Sequence, residues 1–329
     1  MLRPGSYEAH WARAEYYWAA RDNRRAAAQT REALRLAPSH PDLLALTARH
    51  EARSGEWDAA TEHLRQAALL DPRSGRVAEA LAQHLIRLRR FPEAREVADR
   101  ALALDPMNLD LRWAAAAARL GEGDPAGAHR IAREVPTGLD STEHAVYFAS
   151  ASLVWMLDER QRDLILRTGP GPFGNDRTSW AGSLATVYLM RGDTMRSRAH
   201  IDSARIAQEG LVREDPDNPD QRQHLGGMLA RLGRKAEGRA HGEQAFALAR
   251  ATGDVDMIDY MRVALAGIYV RIGDHDAALA HLDTVLQGPS KMNPGRLRED
   301  LEFAPLRRDP RFERLLARHE TMAPDSPSD

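Results

Sequence analysis

The sequence predicts an all-α solenoid of stacked helix pairs, roughly 14 to 16 helices in total. Three columns of residues carry that expectation. Pro38, Pro72 and Pro106 recur at one constant step; Ala26, Ala60, Ala94 and Ala128 keep the same step, as do Ala33, Ala67 and Ala101. Independent columns at one period mark a single supersecondary unit copied along the chain.

Each unit reads as two amphipathic helices joined by a short turn, as in residues 42–53 and 58–70 around Gly55-Glu56. Apolar residues recur at three- and four-residue spacing in both. The alanine columns mark places where two helix backbones approach so closely that a larger side chain would displace one of them. The prolines in "LAPSHP", "LDPRSG" and "LDPMNL" cannot continue a helix and disfavour α geometry in the residue before them, so they end each repeat. Four such units are expected over residues 1–138, the first from about Tyr7 and the last truncated near Pro136.

Residues 139–177 break the pattern, with a helix pair at 141–157 and 159–167 followed by the turn-rich "GPGPFGND". Periodicity then returns over 178–290 with a longer step. It is shared by Leu184, Leu225 and Leu265, by Gly192, Gly233 and Gly273, and by Ala204, Ala245 and Val285. "LATVYLMRGD", "LGGMLARLGR" and "LAGIYVRIGD" read as three copies of one helix and turn. The glycine closes the first helix in a left-handed conformation, and Asp193 or Asp274 caps the next. The six or seven extra residues are placed after the second helix, in stretches such as 211–219 and 251–256. Capping helices follow over 291–320, and the Pro/Ser/Asp-rich 321–329 is expected to fray.

The shorter unit resembles the tetratricopeptide repeat, whose pattern is W-x2-L-G-x2-Y, then A-x3-F, then A and P. Leu81-Ala82 with Leu85, then Ala94, Ala98, Ala101 and Pro106, occupy the matching positions; Thr47-Ala48, Ala60, Leu64, Ala67 and Pro72 do so one repeat earlier, and Tyr17, Ala26, Ala33 and Pro38 before that. At the other end, "LREDLEFAPLRRDPRFERLLAR" (297–318) resembles the closing motif of repeat regions in bacterial multidomain signalling proteins, where such regions follow a kinase, cyclase or winged-helix domain. That second resemblance spans about 141–318 and implies a sensory or regulatory region of a larger protein. It carries no activity, because no kinase, cyclase or winged-helix motif lies in these residues.

Composition narrows the function further. A formal charge of −2 gives no global field for nucleic acid or anionic membrane, and no apolar run nears the length of a membrane span. Residues 1–7 lack the apolar core of a secretory signal, so the compartment stays open: cytoplasmic if the chain stands alone, extracytoplasmic if it follows a span in a longer protein. The absence of cysteine excludes disulfides, thiolate metal sites and cysteine nucleophiles. "GPGPFG" fits G-x-G-x-x-G on paper, but prolines remove two backbone donors and a helix precedes it where a phosphate cradle needs a strand. "EDPDNPD" opens like a calcium loop, yet Asp220 stands where glycine is required and Gly226 where glutamate is. The 13 histidines form no metal-binding spacing, and His275 and His281, with Asp276 and Asp283 nearby, read as surface polar groups. No cofactor is implied, and no catalytic motif is present.

A solenoid of helix pairs lines its concave face with the first helix of each pair. That alignment places Glu15 and Trp18, Arg49 and Arg53, Gln83 and Arg87, and Trp113 toward the groove, with Thr186 and Met190, Arg231 and Arg271 at the equivalent places of the second half. An arginine recurs late in the first helix at Arg53, Arg87, Arg231 and Arg271. Guanidinium and aromatic groups suit recognition of an acidic peptide; the plainer reading is solvated helix ends that favour the helix dipole. Trp11 is expected between helices. Tetratricopeptide grooves that clamp a chaperone's C-terminal carboxylate use lysine and asparagine at fixed places, and those asparagines are missing here. The sequence therefore predicts a non-catalytic scaffold that binds a protein or peptide segment, with an enzyme carrying an unrecognised carboxylate site as the distant rival.

Overall fold

The computed structural model describes residue 3 and residues 5–320; the fraying expected of 321–329 lies outside them. Among the described residues the fold is all-α, with 18 α-helices and three short 3-10 helices. The first array pairs α1 (Tyr7–Ala19) with α2 (Asn23–Leu36), α3 (Pro41–Arg53) with α4 (Trp57–Leu70), α5 (Gly75–Arg87) with α6 (Phe91–Leu104), and α7 (Leu109–Gly121) with α8 (Pro125–Arg133). After α9 (Ser141–Ser150) and α10 (Glu159–Arg167) come α11 (Arg177–Met190) with α12 (Thr194–Glu214), α13 (Pro219–Arg231) with α14 (Lys235–Thr252), and α15 (Val255–Ile272) with α16 (His275–Gln287). The chain closes with α17 (Pro294–Glu299), a 3-10 turn over Leu301–Arg308 and α18 (Pro310–Glu320). The helices through α16 already number 16, and the closing segment adds two more, α17 and α18, on either side of the 3-10 turn that holds Pro305.

The small-residue columns do what their chemistry requires. Ala26, Ala60, Ala94 and Ala128 are fully buried between paired helices, and Ala33 and Ala67 likewise. A further column, Ala14, Ala48, Ala82 and Ala116, is equally buried on the first helices. In the longer repeats Gly192, Gly233 and Gly273 adopt φ of 76°, 84° and 86°, and the Asp193 and Asp274 carboxylates accept the backbone N–H groups of Arg196 and Ala277. The extra residues differ from expectation. No proline falls in 194–214 or 235–252, so α12 and α14 extend through Leu211 and Ala251 as additional helical turns, leaving only tight turns before α13 and α15.

One departure shapes everything that follows. The array curves until its second half meets its first: α15 packs on α3, and α17 packs on α7. Gly295, at the start of α17, lies so close to the C-terminal end of α7 that an added Cβ would collide with the Leu120 carbonyl oxygen. The concave face of the first array is thus partly covered by the chain's own C-terminal third.

Candidate functional site

The first helices α1, α3 and α5 form one wall of a cavity of about 370 Å³, and the N-terminal end of α15 supplies part of the other. Arg49, Arg53, Gln83 and Arg87 line it together with Glu15 and Asp256. Arg49 and Arg53, four residues apart on α3, share a helix face. Their guanidinium carbons lie 4.2 and 4.6 Å from the centroid of the half-buried Trp18 ring, within cation–π range. Trp11 also lines the cavity, with its ring edge against His40 and its indole N–H donating to Glu15 at 3.3 Å. Its ring meets His40 at the start of α3, and the Arg76 guanidinium of α5 lies 5.8 Å from its centroid, so it packs between the first helices while also facing the cavity.

The arginine column is neither open to solvent nor free. Arg53 pairs with Asp254, whose side chain is only 3% exposed and also accepts Asn23 Nδ2 at 3.0 Å. Arg87 holds Asp256 bidentately, at 2.8 Å from Nε and 3.2 Å from Nη2, while its Nη1 donates to the Gln83 carbonyl at 3.3 Å. Burial acts to raise Asp256, but the Arg87 guanidinium holds it below the usual carboxylate range. Gln83 donates to Glu79 at 2.9 Å. Arg49 is different: among the described residues no carboxylate forms an ion pair with it, and its side chain is exposed on the cavity wall. Arg76, across the cavity, pairs with Asp42.

Trp113 lies deeper, 8% exposed, beneath the segment that follows α16, and the Lys291 ammonium sits 5.3 Å from its ring centroid. Burial, with Arg87 nearby, lowers Lys291 to about 8. Burial, reinforced by Asp110, raises Glu79 to about 7, and burial raises Asp259 to about 6 even though Ser290 donates to it at 2.7 Å.

The second-half residues do not join this cavity. Arg271 pairs with Glu302 in the closing 3-10 turn, and Arg231 donates to the Thr186 hydroxyl at 3.3 Å. Arg231 is pushed down to about 9 by burial and by Arg271. Sequence reasoning missed Asp254, Asp256 and Lys291 altogether. Their only local signal is an N-capping Asp before α15, and it gives no hint of contacts with arginines in the first third of the chain.

Comparison with known proteins finds a family likeness within the first array. Two tetratricopeptide-repeat family models match, over residues 12–76 and 51–120. Over those residues, about a third of the chain, the sequence is similar to tetratricopeptide repeats. No curated protein matches the chain in sequence. Among solved structures, the chain is similar to one described as the functional characterization of Pseudomonas aeruginosa pilF, at 17% identity and a TM-score of 0.40, covering 82% of this chain and 96% of that one. It is also similar to the APC/C hetero-tetramer Cut9-Hcn1, at 15% identity and a TM-score of 0.43, over 94% of this chain and 55% of that one. A third, PilW, a type IV pilus biogenesis factor, is 14% identical with a TM-score of 0.35, over 91% and 96% of the two chains. Tetratricopeptide proteins generally act as non-catalytic scaffolds that bind protein partners. Among the described residues of this one, no helix is long and apolar enough to cross a membrane.

Proposed function

We propose that the protein is a non-catalytic interaction scaffold whose tetratricopeptide groove, between α1, α3 and α5, binds a segment of a partner protein that carries carboxylates. The observation behind this reading is Arg49, an unpaired cation stacked on Trp18 at the rim of a cavity whose other arginines already hold carboxylates of the chain itself. A guanidinium pre-positioned on an indole loses little conformational freedom when it takes a carboxylate, and it keeps its planar donor edge available. The raised Glu79 and Asp259 and the lowered Lys291 invite an enzymatic reading. Each carboxylate has an internal hydrogen-bond donor instead, Gln83 and Ser290 respectively.

A narrower setting is supported by the closing segment. The motif at 297–318 folds as a compact cap, with Leu297, Phe303, Leu306, Phe312 and Leu316 buried in one cluster with residues of α15 and α16. We read the chain as suited to a regulatory region of that kind, and a kinase, cyclase or winged-helix domain in the same open reading frame would support this.

The test of the groove is calorimetric titration of an acidic peptide and its fully amidated counterpart into the parent protein and Arg49→Ala. The acidic peptide should bind the parent more tightly, lose at least about fivefold on Arg49→Ala, and weaken as salt rises. Equal affinities for both peptides in both proteins would remove the groove from consideration.

A further inference from the structure

Two contacts cover the groove: α17 packs closely on α7, and the start of α15 meets α3 and α5 along a seam of groups that have the chemistry of ligand recognition rather than of a core. Asp254 and Asp256 flank Val255 at the start of α15. The first gives one carboxylate oxygen to Arg53 and Asn23 and the other to its own helix, where it accepts the Asp256 and Met257 N–H groups, both at 3.1 Å. The second lies in the bidentate fork of Arg87. Both arginines belong to the recurring column of the tetratricopeptide groove, so an acid-x-acid segment of the chain occupies the place where a partner's carboxylates would lie.

A second observation, independent of these pairs, shows that the seam is built into the repeats. The turn between the two helices of each early repeat carries a residue in the left-handed conformation: Arg21 at φ 59°, Gly55 at 84°, Arg89 at 59° and Gly123 at 78°. Gly55 and Gly123 adopt it without steric cost; an arginine there is strained. Both arginines reach across the seam. Arg89 donates to the carbonyls of Leu286 and His319, the latter at 3.5 Å, and Arg21 lies 3.8 Å from Asp215. Beside them the Ser290 N–H donates to the Arg87 carbonyl at 3.0 Å. Strained non-glycine residues at glycine positions, each directed at the second half, give the closed ring contacts that the repeat fold itself does not need.

We propose that Asp254-Val255-Asp256 is an internal ligand of the tetratricopeptide groove, and that the partner is a segment presenting two carboxylates two residues apart, which displaces it and opens the ring. This rests on the scaffold reading given above. The internal segment competes at the high effective concentration of a tethered group. The apparent affinity for the partner then falls by the fraction of molecules that are open, so a ring closed nine parts in ten costs about tenfold.

The chain has no cysteine, so a pair of introduced thiols can be labelled without background. Exposed Ala59 on α4 and Ala251 at the end of α14 flank the seam. Spin labels on Ala59→Cys/Ala251→Cys should give one narrow distance distribution in the parent. The distribution should broaden toward longer distances in Asp254→Asn/Asp256→Asn, in which asparagine still caps α15. The binding probe is a peptide of residues 251–258 in trans, with a control in which Asp254 and Asp256, its two aspartates, are asparagine. The charge variant should bind the acidic peptide about tenfold more tightly than the parent, and the control peptide should bind neither protein. Arg89→Gly, which relieves backbone strain and removes a side chain that crosses the seam, should open the ring and raise affinity in the same direction, and it serves if the double variant folds poorly. Unchanged distances, or equal affinities of parent and variants for the acidic peptide, overturn the internal ligand and leave the scaffold reading standing. Acidic peptide bound by no variant overturns the scaffold reading and this inference with it.

Discussion

Adjacent glycines on α13 allow a sharp test of how closely the long repeats pack. Gly226 faces α14: a Cβ added there would lie 3.0 Å from both the Gly238 oxygen and the Gly242 nitrogen, and 3.1 Å from Ile268 Cδ1. Two of those neighbours are backbone atoms of the paired helix, which cannot move aside without shifting the helix. Gly227, one residue on, has no heavy atom within 4 Å of the same construction. Replacing a glycine in a helix interior by alanine gains about 0.5–1 kcal/mol from backbone entropy and helix propensity at either site. At Gly226 overpacking of about 1–3 kcal/mol opposes it. Gly227→Ala should therefore be stabilising by about 0.5–1 kcal/mol, while Gly226→Ala ranges from neutral to destabilising by about 2.5 kcal/mol, a split of about 1–3 kcal/mol between neighbouring positions. Urea unfolding followed by far-UV circular dichroism reads both, with the slope checked because long repeat arrays can unfold in parts. Midpoints moving in the same direction for the two variants would show that α13 and α14 are not at glycine contact distance.

Ala60 is fully buried and Ala59 is exposed, so Ala60→Leu should cost about 1–3 kcal/mol in the same assay while Ala59→Leu stays within about 0.5 kcal/mol of the parent. His144 is fully buried beside Phe148, and burial, with Arg112 adding to it, lowers its pKa from 6.5 to about 4. A neutral histidine held below its unfolded value contributes stability that is complete above about pH 6.5 and is lost as protons bind the unfolded chain between 6.5 and 4. Relative to His144→Leu, the parent should therefore lose on the order of 2 kcal/mol between pH 7 and pH 5, which denaturation at the two pH values measures directly.

The repeats were legible because their physics is local. A proline ends a helix wherever it falls, an alanine column at a fixed step records a close approach between neighbouring helices, and a glycine before Asp193 or Asp274 announces a left-handed turn and a cap. Helix length was legible only where a breaker marks it. Residues 194–214 contain no proline, so the extra turn of α12 is written in what the sequence lacks. The ring closure was not legible at all. Arg53 and Arg87 could be aligned to each other by the repeat step, but nothing in that column names Asp254 or Asp256, which belong to a repeat of another length in the last third of the chain. The left-handed arginines were legible in principle, because the repeat step that aligns the alanine columns also aligns Arg21 and Arg89 with Gly55 and Gly123; what their side chains reach across the seam was not.

That closure has the energetics expected of a contact meant to open. The side chains of Arg53 and Arg87 are 20% and 15% exposed, and those of Asp254 and Asp256 are 3% and 32% exposed. Pairs so placed lie between the exposed class, worth about 0–1 kcal/mol each, and the buried class, whose desolvation cost can exceed the attraction. The helix pairs on either side are held by continuous apolar packing through fully buried alanines, leucines and phenylalanines, which has no comparable competitor in water. Raising ionic strength or supplying a rival carboxylate weakens the seam while leaving that packing untouched. On the internal-ligand proposal the charged contact at the start of α15 gives way before the helix pairs melt and before α17 leaves α7, and the part of the groove it uncovers is lined by Arg49, Arg53 and Arg87.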